Sequence, residues 1–529
     1  MDDLVVADAL IVDGTGAPQR PGSVVVSGDR VVDVLDRGDE EPPTTARIDA
    51  AGRVVAPGFV DVHSHSDITP FVEPTMDSML RQGVTTLVVG NCGGSAYPIE
   101  GALEHAAMTG ADPKALALDW SSFGEYLARI DDSRPALNVA SLVGHGTLRE
   151  HVMGVQQRRS PTDDEIRSMR DLLREALAEG AVGFSTGLVY APGLHASTDE
   201  IATVATALAE IGGVYASHIR GEDSNVFDAV GECIEIGRRA GAPSHVSHLK
   251  VETRPMWGRS GELLELVDAE RARGADVTAD QYPYDAWETS LASALPPWVT
   301  AEELPGVVAD AAAAQWLFDS IELGEPGWAS VGRGIGWDRI VLGSHLADPS
   351  LTGRSIADVA DERGIAPAEA IGQLLLADPH TGIVGHAMDE DDVRTIVSRA
   401  DVFVATDGLA VSPNGPLGAF AVHPRYYGTF PRVLGRYTHN ERLLSLEDAV
   451  LKMTSLPAAR FGLDHRGTIE RGAFADLVVF DPERVTDRAT FERPHAFADG
   501  IDVVIVNGRV AWDGSAVGRH GRALRRGER

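Results

Sequence analysis

Eight short apolar runs, each separated from the next by a stretch of different character, occupy the middle of this chain. They are GFVDVHS (58–64), VTTLVVGN (84–91), LNVASLVG (137–144), AVGFST (181–186), GVYASHI (213–219), PSHVSHL (243–249), ADVTADQ (275–281) and DVFVATD (401–407). Apolar strands alternating with helix-like intervals are the pattern of a parallel sheet with covering helices. Eight is the number that closes a TIM barrel. The intervals carry helix signals: SPTDDEIRSMRDLLREALAEG has a Ser/Thr/Asp start, leucines at helical spacing and a terminal glycine.

The two chain ends read differently. LVVADALIVDGTG and SVVVSGDRVVDVL near the start, and GTIERGAFADLVVFDP (467–482) and DVVIVNGRVAWDG (502–514) near the end, are short β-like runs punctuated by turns. The expected fold is therefore α/β, a TIM-like (β/α)8 barrel with a small β-sandwich domain built from both termini. Residues 1–56 and 466–529 are expected to form the β domain, and residues 57–465 the barrel. One interval does not fit a plain βα connection: about 120 residues separate the seventh and eighth strands. It contains a helical stretch (AEELPGVVADAAAAQWLF), a strand-like run (DRIVLGS) and an amphipathic piece (SIADVADERG). It reads as an insertion at about 300–390 over the barrel mouth.

Composition excludes several function classes. There are 46 basic and 79 acidic residues, a formal charge of -33, against nucleic acid and against an anionic membrane surface as partners. No apolar run approaches a spanning helix. MDDLVVADALIVDG lacks a basic region, so no secretory leader is expected. Two cysteines, Cys92 and Cys233, do not suggest a disulfide framework in a chain of 529 residues. The expectation is a cytoplasmic enzyme or binding protein, monomeric or a small homo-oligomer.

Several of the eight apolar runs end in a group that binds metal or titrates. His63 and His65 end the first, Cys92 follows the second, His218 ends the fifth, His248 the sixth with Lys250 beyond it, and Asp407 the eighth. Residues i and i+2 project from one face of a strand, which sets His63 and His65 side by side. Taken singly, each residue has an ordinary explanation: a hydrogen-bonded histidine, a buried cysteine, a helix-capping aspartate or a surface lysine. Together they occupy corresponding ends of separate strands, where a barrel of this type builds its active site. His145, in GHGTLR after the third strand, points to the same site. Cys233 lies in a helical pattern and reads as packing.

Mixed His, Cys and carboxylate donors suit zinc better than magnesium or calcium. Cys92, His218 and His248 would supply three ligands and leave a fourth position open, the catalytic form of a zinc site. His63 and His65 could hold a second ion, sharing Cys92. Zinc would make a water nucleophilic, and Asp407 would shuttle its proton to the leaving nitrogen, hydrolysing an amide-like bond. No nucleophile elbow, P-loop or dinucleotide fingerprint is present.

The motifs PGFVDVHSHSD, GNCG, GAVGFSTGLVYAPG, SHIRGE, SHLK, DQYPYDAWETSL, ATDG, HPRYYGTFPRVLGRY and GTIERGAFADLVVFDP span nearly the whole chain. With them the sequence resembles the amidohydrolase superfamily and, within it, the N-acyl-D-amino-acid deacylases, or D-aminoacylases. The resemblance implies the same barrel and β domain. It implies a strand-two cysteine where many relatives use a carboxylated lysine, and one tight zinc on Cys92, His218 and His248. It further implies a weaker or partly filled site at His63 and His65, with Asp407 as the acid-base residue. Lys250 and Tyr282 match positions that bind the substrate α-carboxylate, with Tyr190 and Ser290 close by. Relatives selective for acidic side chains carry an arginine after the YPY motif. Here TSLASALPPWV has none, so the resemblance implies an N-acyl-D-amino acid substrate with an apolar side chain. The alternatives are a hydantoinase- or dihydropyrimidinase-like cyclic amide hydrolase, and a catalytically silent binding protein of the same fold.

Overall fold

The computed structural model describes residues 2–108, 112–155, 157–325, 328–418 and 423–528. The eight apolar runs form eight strands: Phe59–Asp61, Val84–Val89, Asn138–Gly144, Gly183–Gly187, Val214–His218, Ser244–Val246, Val277–Gln281 and Val402–Val404. They lie side by side in chain order, all neighbours parallel. The barrel closes between its last and first strands, where Ser64 pairs with Gly408. There the Asp407 N–H donates to the His63 carbonyl at 2.8 Å and the His65 N–H to the Gly408 carbonyl at 2.8 Å.

Both faces of these strands are buried, which explains their continuous hydrophobicity. Val60, Val88, Ala140, Leu142, Val214 and Phe403 gather on one face with Phe461 and Leu524, while Phe59, Leu87, Val139, Phe184, Tyr215 and Val404 pack with the helices. The period of two along each strand separates the two sets. The helix Asp163–Ala178 starts where its sequence says: Thr162 and Glu165 exchange the two bonds of a capping box. It buries Met169, Leu173, Ala176 and Leu177, one stripe at helical spacing.

The chain ends meet in a second eight-stranded sheet. Its strands come from residues 2–57 and from Leu477–Phe480, Ile501–Val506 and Arg509–Trp512. Leu477–Phe480 runs antiparallel to Val54–Pro57, so the two ends are hydrogen-bonded to each other. The long interval forms its own layer: an antiparallel sheet of Trp287–Ser290, Gly382–Gly385 and Ile340–Ser344, with helices whose apolar side chains make a separate core. AEELPGVVADAAAAQWLF divides into Leu304–Ala309 and Ala311–Leu323 because Asp310 leaves helical geometry and caps the second helix. Among the described residues, no helix is long and apolar enough to cross a membrane.

One buried charge in the barrel wall has a measurable consequence. Lys452, on the helix Leu446–Met453, is buried and donates to the carbonyls of Val397 and Arg399. Burial lowers its pKa to about 7, where a neutral amine still has two hydrogens for these two acceptors. Between that value and the ordinary lysine pKa, the unfolded chain holds a proton that the folded chain lacks, so stability rises with pH across this window. The stability of the parent relative to Lys452→Met is expected to rise by about 2 kcal/mol from pH 7 to 9, read from urea unfolding midpoints. A pH-independent offset would contradict the depressed pKa.

Candidate metal centre

The carboxyl ends of the strands turn sharply, and those turns aim the polar side chains inward. Cys92, His248 and Asp407 all have positive φ, +52°, +36° and +50°, a left-handed backbone that costs a non-glycine residue about 1–2 kcal/mol. Neighbouring bonds hold them there. The His248 N–H donates to Asp280 Oδ1 at 2.8 Å, and the Asp407 N–H donates to His63. The GNCG loop lies close over the fourth strand: a Cβ on Gly187 would stand 2.1 Å from the Cys92 carbonyl oxygen, so only glycine admits this approach.

Cys92 is at the centre of the cluster. Its Sγ lies 3.2 Å from His63 Nε2, 3.7 Å from His218 Nδ1 and 3.6 Å from His248 Nε2. Two donors on one tetrahedral zinc, at bond lengths of about 2.3 Å to sulfur and about 2.0–2.1 Å to nitrogen, stand about 3.5 Å apart. The Cys92–His218 and Cys92–His248 distances fit that ion. Among the described residues, two groups of donor atoms converge: His63, Cys92, His248 and Asp407, and His218, Glu222 and His248. His65 joins through Asp407, with its Nε2 at 3.1 Å from Oδ1.

The surrounding bonds prepare these donors. Asp280 accepts from His63 Nδ1 at 3.2 Å and His245 Nε2 at 2.9 Å; with the proton on Nδ1, His63 turns a free Nε2 toward Cys92. Glu222 Oε1 lies 3.0 Å from His248 Nδ1, and Lys250 Nζ stands 2.8 Å from the same ring nitrogen. Glu222 also accepts from Lys250 Nζ at 2.5 Å. Asp61 accepts from the backbone of His63 and from both the N–H and hydroxyl of Thr406. It therefore ties the first strand to the eighth, and burial raises its pKa to about 7.

The electrostatics favour a cation. Burial alone would raise the Cys92 thiol, but the His63 charge and the imidazole bonds hold it well below the ordinary range. Burial likewise opposes ionisation of Asp407, and Arg425, ahead of His63 and His65, holds it well below the carboxylate range. Arg425 is buried and donates to Asp407 Oδ2 at 2.6 Å. The anions act back on the imidazoles: against burial, Asp407 and Cys92 raise His65 to about 10, and against burial and Lys250, Glu222 and Cys92 raise His248 to about 9.

Tyr282 is buried beside this cluster, its hydroxyl without a partner among the described residues. Its ring has Lys250 Nζ 5.7 Å away and the Arg425 guanidinium carbon 5.1 Å away. Tyr190 stands at the mouth with its ring centroid 4.9 Å from that of His218, edge to face. Ser290 is exposed on the inserted sheet, where its hydroxyl accepts from the Ala292 N–H at 3.2 Å. His145 does not join the donor set. It pairs with Glu200 at 3.2 Å, as does Arg149 at 3.0 Å, in a buried network between helices. Sequence reasoning passed over Asp280, Glu222 and Arg425. Asp280 stands at a strand end, the signal that identified the other residues; Glu222 and Arg425 lie in loops and helices beyond the strands, inside SHIRGE and HPRYYG.

Residues 46–511 match the sequence pattern of the amidohydrolase family. D-aminoacylase of Alcaligenes xylosoxydans xylosoxydans is 39% identical over 99% of this chain and 98% of that protein. A crystal structure of D-aminoacylase superposes with a TM-score of 0.82 at 38% identity, covering 99% of this chain and 100% of the other. N-acyl-D-glutamate deacylase from Bordetella bronchiseptica, solved with zinc and a phosphonate mimic of the tetrahedral intermediate, superposes with a TM-score of 0.80 at 36% identity, covering 99% of each chain.

Proposed function

The chain belongs to the amidohydrolase family, and on that premise we propose that it is a zinc-dependent deacylase that hydrolyses N-acyl-D-amino acids to a carboxylate and a free D-amino acid. The observation that carries this reading is the donor set of Cys92, His218 and His248 beside a carboxylate, Asp407, held ionised by Arg425. Those three donors would hold the tight ion, with His63 and His65 sharing the thiolate toward a second, weaker one. Zinc there would supply Lewis acidity at the scissile carbonyl and lower the pKa of water towards about 7.

The protein's own groups account for the proton. Asp407 Oδ2 is occupied by Arg425, which leaves Oδ1, beside His63 and His65, to take a proton from the attacking water. As the C–O bond forms and the C–N bond breaks, Oδ1 returns that proton to the leaving nitrogen. Lys250 and the unpartnered Tyr282 hydroxyl would receive the substrate α-carboxylate, a charge-assisted pair of donors. Tyr190 and Ser290 would border the entrance. The D-hand follows from the relatives, whose substrates are D-amino acid derivatives by name.

The side-chain preference rests on charge. No lysine or arginine occurs from Tyr282 to Gly332, and Leu291, Ala294, Leu295 and Val299 of that stretch are buried in an apolar core. A substrate carboxylate brought there would lose its hydration without gaining a partner. N-acetyl-D-methionine is therefore expected to exceed N-acetyl-D-glutamate in kcat/KM by about 100-fold or more, measured side by side on zinc-loaded enzyme. Equal or reversed values would remove the apolar preference.

A further inference from the structure

Apart from the metal centre, the chain holds a cavity of about 570 Å³ between the π-helix Val433–Asn440 and the segment 480–485. None of the metal donors, nor Asp407, lines it. Its volume falls within the range of about 300–1,000 Å³ usual for small-molecule sites. Pro431, inside the preceding helix Arg425–Arg432, has no N–H to give to that helix's ladder, and the run continues as a π-helix ending with the Glu441 N–H on the Arg436 carbonyl at 2.8 Å. Such wide turns are uncommon and recur at functional sites.

We infer that this cavity is a second binding site, for a molecule with an apolar chain and a carboxylate head. The floor is apolar: Leu434, Leu444, Phe480 and Val485 are all buried residues that line it. The rim is cationic. Arg442 lines the cavity, is exposed, and has no hydrogen bond or ion pair among the described residues. The acids next to Arg442 along the chain are already engaged. Glu441 is held by Arg394 and Arg436 at 2.9 Å each, Asp448 bonds Ser445, and Glu447 accepts from the Gln19 N–H. In a chain of net charge -33, a guanidinium left uncommitted beside an apolar cavity is suited to an incoming anion. His439 stands on the same rim. Thr438 contributes a buried hydroxyl with no partner among the described residues, a polar group that a ligand head could satisfy.

Free fatty acids and N-acyl amino acids share this chemistry. The test is isothermal titration of zinc-loaded enzyme with octanoate, N-octanoylglycine and the neutral octanamide, repeated on Arg442→Gln and on Leu446→Trp, which fills the cavity from its edge. The expected result is octanoate or N-octanoylglycine binding that weakens at least tenfold in both variants, with octanamide at least tenfold weaker on the parent enzyme. The tighter of the two anions identifies the source. Turnover of N-acetyl-D-methionine by Arg442→Gln should stay at the parent value, so the outcome is independent of the deacylase reading. Undetectable binding, equal binding of octanamide, or unchanged affinity in Arg442→Gln would overturn the site.

Discussion

Asp407→Asn is expected to lower kcat by about 10²–10⁴ while the purified enzyme keeps its zinc. The size is that of a lost general acid-base group. Asparagine keeps the shape of the side chain and an acceptor for Arg425, but its amide cannot take the proton that Oδ1 would carry. The cysteine and imidazole donors are untouched, so metal analysis should give the parent value. The KM for substrate should change little, because Lys250 and Tyr282, not Asp407, would hold the α-carboxylate. Parent-like turnover in this variant would remove Asp407 from the mechanism, and loss of zinc together with turnover would recast it as a ligand, a role its place in one of the two donor groups permits.

Cys92→Ala is expected to lose metal and activity together. Cys92 is the donor shared by His63, His218 and His248, and its thiolate supplies negative charge among these imidazoles. Outer-shell substitutions around a metal cost about 10–100-fold in affinity, and removal of this ligand should exceed that range. Alanine tolerates the +52° φ no worse than cysteine, so the fold should persist. Full zinc occupancy after dialysis would contradict the ligand assignment.

The barrel and most of its centre were legible because both depend on local periodicity. Fully buried strands must be apolar, so a histidine, cysteine or aspartate at their ends stands out, and the eight runs became eight parallel strands in chain order. His145, pointed at the site by its place after the third strand but not counted among the ligands, pairs with Glu200. Gly144 ends the strand and His145 opens the helix His145–Met153, so the ring meets this carboxylate instead of the metal donors. Arg425 and Glu222 left no periodic trace. Arg425 begins a helix 18 residues after Asp407, and only closure of the barrel brings the two together. The strand Trp287–Ser290 was also missed; its residues are half-exposed and polar in part, which erases the hydrophobic signal.

The central claim is zinc-dependent hydrolysis of an N-acyl-D-amino acid, and the direct measurement is release of methionine from N-acetyl-D-methionine and N-acetyl-L-methionine by zinc-loaded and chelated enzyme. The account predicts rapid release from the D-substrate alone, abolished by chelation and restored by zinc. Turnover of neither enantiomer with zinc present, or turnover indifferent to chelation, would contradict it.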